Sequence, residues 1–137
     1  MLLLNCMCNY EMISYIYNEE EVLMEAKVIR PFIASLDFEV SKSFYKDLGF
    51  TITYDSKDLV ILSVKGASFF LQKAYNKVWA ENTMVQLVVD DLDEFYKVAS
   101  SLIDKYPNTK IKDIFKADYG RTFHLIDPAG VLWHLME

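Results

Sequence analysis

One order of elements occurs twice along these 137 residues, and it restricts the fold more than any single motif. Residues 28–34 read as a strand with Arg30 inside it. Asp37 then caps a helix whose apolar stripe is Val40, Phe44, Tyr45 and Leu48, stopped by Gly49. Strands follow over residues 50–54, 59–64 and 68–72, parted by the turns Asp55-Ser56-Lys57-Asp58 and Lys65-Gly66. A loop, residues 73–82, carries Tyr75 and Trp79. Beyond it lie a strand over 84–90 and a helix opened by Asp91 and Glu94. Leu92, Phe95, Tyr96, Ala99, Leu102 and Ile103 give that helix a buried face, and Pro107 closes it. A strand over 110–115 and a terminal hairpin complete the second set. Ile33-Ala34-Ser35-Leu36-Asp37 parallels Val89-Asp90-Asp91-Leu92-Asp93, and Gly66-Ala67-Ser68-Phe69-Phe70-Leu71 parallels Gly120-Arg121-Thr122-Phe123-His124-Leu125. Such repetition outranks single-element assignments. The expected fold is α+β. Two tandem βαβββ modules, about residues 26–74 and 83–137, form a curved mixed sheet around a cleft, with the helices on the outer face.

The hairpin is the best-specified local element. In Asp127-Pro128-Ala129-Gly130, Asp bonds back to the backbone, Pro presets φ and Gly takes the left-handed position. Apolar flanks make this a three-residue hairpin loop with Gly130 as bulge. Asp127 then opposes Val131. Alternation gives Phe123, Leu125, Val131, Trp133 and Leu135 one face; Thr122, His124, Ile126, Leu132, His134 and Met136 take the other. The only two histidines in the sequence, His124 and His134, fall opposite each other, and a slip of one residue would separate them.

Net charge is −6, and Arg30 and Arg121 are the only arginines, so no basic face for nucleic acid can be assembled. The acidic balance is compatible with a cationic ligand. Cys6 and Cys8 have no further Cys or His nearby and cannot close a zinc site; they read as reduced thiols of a cytoplasmic protein. No run reaches the ~18 apolar residues of a membrane span. Residues 1–25 match neither repeat and are expected to form an extension outside the fold.

Leu36-Asp37 leading into Phe44-Tyr45-x-x-Leu48-Gly49-Phe50, then Val88-Val89-Asp90-Asp91-Leu92, then Tyr119-Gly120-Arg121-Thr122-Phe123 before Asp127-Pro128-x-Gly130 resemble the vicinal oxygen chelate superfamily. That superfamily includes glyoxalases, bleomycin resistance proteins and extradiol dioxygenases. The resemblance spans about residues 27–136. It implies two βαβββ modules, assembly as a homodimer and a ligand or metal cleft on the concave side of the sheets. Metal-dependent members place one ligand on each of four strands, and the flanking motifs put Arg30, Phe70, Met84 and His134 at those positions. Guanidinium, phenyl and thioether do not suit a divalent ion. The resemblance is therefore closer to the metal-free bleomycin-resistance-like branch, with no metal and no cofactor.

The candidate ligand-binding residues are Arg30, Phe32, Phe70, Gln72, Trp79, Met84, Gln86, His124 and His134. Arg30 either clamps an anionic group or forms an ion pair. The histidines are a proton-transfer pair, a two-point metal site or two cleft histidines. Met84, Gln86, Phe70 and Gln72 suit a small-molecule pocket, and dimer packing would need the same pattern. Trp79 and Tyr75 either stack on a ligand or touch a partner subunit. No catalytic set can be built. The expectation is a homodimer that binds a small organic molecule, apolar or aromatic, without metal. The alternatives are a lyase, isomerase or dioxygenase of the superfamily, and a structural or regulatory module with a filled cleft.

Overall fold

A computed structural model describes residues 25–137. The expected extension over residues 1–25 lies outside them but for Glu25, as do Cys6 and Cys8. The first module runs β1 (Phe32–Ala34), α1 (Phe38–Asp47), β2 (Thr51–Asp55), β3 (Leu59–Val64) and β4 (Ala67–Gln72). A short helix, α2 (Lys77–Glu81), leads into β5 (Met84–Val88) and α3 (Leu92–Leu102). Then come β6 (Lys110–Ile111), β7 (Phe115–Ala117), β8 (Gly120–Ile126) and β9 (Leu132–Met136). The fold is α+β with two tandem modules. Each keeps its own mixed sheet, ordered β1-β4-β3-β2 and β5-β9-β8-β6, with β7 also on β8. The expected curved sheet is thus divided: β1 and β5 are both edge strands, paired in parallel only to β4 and β9.

Local chemistry sets the element ends. Asp37 accepts from Val40 N, and Asp91 accepts from Glu94 N at the start of α3. The strand expected from residue 28 begins at Phe32, because Pro31 has no N–H to donate to a ladder. Arg30 therefore precedes the strand rather than lying in it. Within the expected loop over 73–82, Asn76 accepts from Trp79 N and starts α2, a local signal the sequence reading passed over. The strand expected over 110–115 is two short ones, and α3 ends at Leu102, running through turns to Pro107.

The two N-caps, Asp37 and Asp91, correct the alignment of the repeat. They pair Asp37 with Asp91 rather than with Asp93. Likewise β4 and β9 are the equivalent strands, each lying between a parallel edge strand and an antiparallel neighbour. The match of Gly66–Leu71 to Gly120–Leu125 joined β4 to β8, which answers to β3. Apolar alternation is the same in all of these strands, so it cannot tell them apart.

Helix α1 packs on β4 and α3 on β8, so the helices cover one face of each sheet. A single core runs between the modules, with Tyr45, Phe50 and Phe69 of the first around Trp133 of the second. Among the described residues no helix is long and apolar enough to cross a membrane.

Candidate functional site

The faces of the sheets turned away from the helices hold nearly every candidate residue. On the first, the parallel register sets Phe32 beside Phe70, rings stacked at 4.6 Å and 23°. Arg30 donates from Nε to Ser68 Oγ at 2.9 Å, and its Cζ lies 5.9 Å from the centre of the Phe70 ring. Trp79 on α2 is 75% exposed. With Phe32, Gln72, Tyr75 and Thr83 it lines a pocket of about 380 Å³ at the edge of this sheet.

The second face carries Met84 and Gln86 on β5, His134 on β9 and His124 on β8. Gln86 sits in register with His134 and donates to Met136 Sδ at 2.9 Å. The hairpin register is as expected: Gly130 has φ +93, Asp127 N donates to Val131 O, and His124 pairs with His134. The imidazole centroids are 4.4 Å apart. Phe115 meets His124 edge-on, and Lys112 Nζ lies 4.2 Å from the Phe115 ring centre. Burial, then the nearby His134 and Lys112, hold His124 below the ordinary imidazole range, and its Nε2 is buried without a hydrogen-bond partner.

Arg30, Phe32, Phe70, Gln72 and Trp79 thus form one group, and Met84, Gln86, His124 and His134 another. Among the described residues no hydrogen bond or ring contact links the two. The four positions of the expected chelate offer a guanidinium, a phenyl ring, a thioether and one imidazole, which is not a donor set for a divalent ion. No cluster of three His, Cys, Asp or Glu side chains forms among the described residues.

Beneath the second face lies a buried chain that sequence reasoning missed. Trp133 Nε1 donates to Tyr45 Oη at 3.0 Å, and Tyr45 donates on to Asp127 Oδ2. Asp127 Oδ1 accepts from the N–H groups of Ala129 and Val131. Burial outweighs these bonds and pushes the Asp127 carboxyl up to about 6. Burial and the adjacent carboxylate together raise the Tyr45 phenol. The sequence marked Asp127 as a turn residue and Tyr45 as a stripe residue, and nothing in either motif announces their contact.

The histidine pair yields a direct expectation. In an NMR pH titration, His124 should titrate below the unperturbed value of about 6.5. His134→Gln should move it upward, since the electrostatic contribution of the facing imidazole is then removed. A His124 curve unchanged by that substitution would rule out coupling across the strands.

No family model and no curated protein matches the sequence. Solved structures do. A bleomycin resistance determinant encoded on the transposon Tn5 is 24% identical with a TM-score of 0.71, over 82% of this chain and 98% of that one. A bleomycin-binding protein complexed with bleomycin is 25% identical with a TM-score of 0.69, over the same shares, 82% and 98%. A lactoylglutathione lyase from Agrobacterium tumefaciens is 14% identical with a TM-score of 0.59, covering 81% of this chain and 93% of its own.

Proposed function

We propose that this chain, whose fold is that of the vicinal oxygen chelate superfamily, binds a small organic molecule without a metal cofactor, as a sequestering or resistance protein and not an enzyme. The observation that carries the reading is the pair of open sheet faces. Each is apolar and aromatic with a few placed polar groups: Arg30 and Gln72 on one, Gln86, His124 and His134 on the other. That is the composition of a small-molecule site. The similarity to a protein complexed with bleomycin supports it. The donor chemistry at Arg30, Phe70, Met84 and His134 favours the metal-free form of the reading.

In this reading the protein works as a cytoplasmic homodimer. Phe32 is 57% exposed and Met84 68% exposed, and a second copy over the open faces would remove such area from water. Ligand then binds between the faces, against Phe32, Phe70 and Trp79 on one side and the histidines on the other.

Isothermal titration of chelator-treated protein with metal-free bleomycin and a panel of aromatic antibiotics tests this. At least one should bind with a Kd of about 10 μM or tighter, close to −7 kcal/mol. His134→Ala should weaken that binding, and sedimentation should show a dimer. Binding that requires added Zn²⁺, Ni²⁺ or Mn²⁺, or turnover of the bound compound, would overturn the metal-free binding reading.

A further inference from the structure

The acidic balance of the chain does not reach its strands. The sequence has 20 Asp and Glu against 14 Lys and Arg. Of the nine described strands, only β2 contains a carboxylate. That residue, Asp55, pairs with the core position Val60 and accepts from Lys42 Nζ of α1 at 3.0 Å, so it belongs to the helix side. The open faces carry basic groups instead. Arg30 stands at the first, and the His124 imidazole, with Lys112 close by, at the second. Among the described residues the carboxylates other than Asp55 therefore lie on helices, turns and loops, and the net charge of −6 does not set the sign of charge at the open faces.

Arg30 is the group best placed to act on this. Its Nε is occupied by Ser68 Oγ, which fixes the guanidinium beside the Phe70 ring. No carboxylate among the described residues forms an ion pair with it. Anchoring through Nε leaves the two terminal amino groups, the fork that meets a carboxylate, sulfonate or phosphate with two parallel bonds. Beside that fork, Phe32 and Phe70 are already stacked, with Trp79 at the rim of the adjoining pocket. A third planar ring adds to such a stack at little ordering cost.

We infer that the ligand is an aromatic anion, its acidic group held by Arg30 and its ring system laid along Phe32 and Phe70. This inference rests on the binding reading above and names the chemical class that site takes. A cationic ligand would meet Arg30 with no strand carboxylate on the open faces to offset it.

Three probes of one shape separate the possibilities: 1-naphthoate, the neutral 1-naphthamide and the cationic 1-naphthylmethylammonium. Binding is followed by titration calorimetry and by quenching of Trp79, the exposed tryptophan. Naphthoate should bind about tenfold or more tighter than the amide, the scale of a charge-assisted hydrogen bond, and the ammonium most weakly. Arg30→Gln should erase the preference for the anion, while Arg30→Lys keeps part of it. Lys57→Gln, the same charge change in an exposed turn, should leave the preference intact. Equal binding of the three probes, or an anion preference that survives Arg30→Gln, overturns the inference. Binding of bleomycin with all three naphthalenes silent also overturns it and leaves the binding reading standing. Silence of bleomycin, of the antibiotic panel and of all three probes overturns both.

Discussion

Asp127→Ala should destabilise the protein by about 3–5 kcal/mol, and the loss comes from what the carboxylate leaves behind. The side chain is 0% exposed and accepts from Tyr45 and from the N–H groups of Ala129 and Val131. Each buried donor stranded by its removal costs roughly 1–3 kcal/mol, less whatever water can reach it. Asp127→Asn keeps the Oδ1 acceptor and should cost less, about 1–3 kcal/mol for the Tyr45 hydroxyl. The two variants also separate packing from titration. In the folded chain the carboxyl is pushed up from 3.8 to about 6. A carboxyl with a raised folded pKa favours the folded state while protonated. Its contribution is fully present below about pH 4 and is lost as pH rises through about 6. The stability of the wild type relative to Asp127→Asn should therefore fall by roughly 2 kcal/mol between pH 4 and pH 6.5. His124 pulls the other way, since its folded pKa is lowered and its contribution is lost as pH falls. It is common to both proteins and cancels in the comparison. Urea melts at half-unit pH steps measure the difference, and curves that stay parallel across that window would show that Asp127 is not buried as described.

Trp133→Ala should cost about 3–5 kcal/mol as a large core truncation. The indole is 3% exposed and packs against Tyr45, Phe50 and Phe69, so removing it opens the core where the modules meet. Trp133→Phe keeps most of the volume and loses the Nε1 donor to Tyr45, for which about 1 kcal/mol is expected beyond the loss of volume. His134→Ala, one position along the same strand, should stay within about 1 kcal/mol while altering ligand affinity, because its side chain points to the open face. Thermal and chemical melts of the three variants read this alternation directly. A His134→Ala penalty as large as that of Trp133→Ala would mean the strand is turned over.

The terminal hairpin shows how much local chemistry can carry. Turn type, bulge and register all follow from four residues and the flanking alternation, and the pairing of His124 with His134 came with them, because side chains on a strand repeat every second residue. The helix starts at Asp37 and Asp91 were open to the same reading, as was the doubling of the βαβββ order. These are interactions among neighbours in the chain, and spacing records them.

What spacing could not record lies between residues far apart. Alternation is alike in β3, β4, β8 and β9, so only the strand pairing shows which strand of one module answers to which of the other. Two sheets replace one because β1 and β5 end their ladders at β4 and β9, a matter of where the modules sit. Arg30 gained Ser68, 38 residues away, and with it a fixed guanidinium beside Phe70. Asp127, read as a turn residue, is also the buried end of a hydrogen-bond chain reaching 82 residues back to Tyr45. Its raised pKa comes from desolvation, which depends on everything packed around it and on no motif. Charge followed the same division: the sequence supplied a total of −6, and among the described residues the packing of strands against helices keeps carboxylates off the open faces.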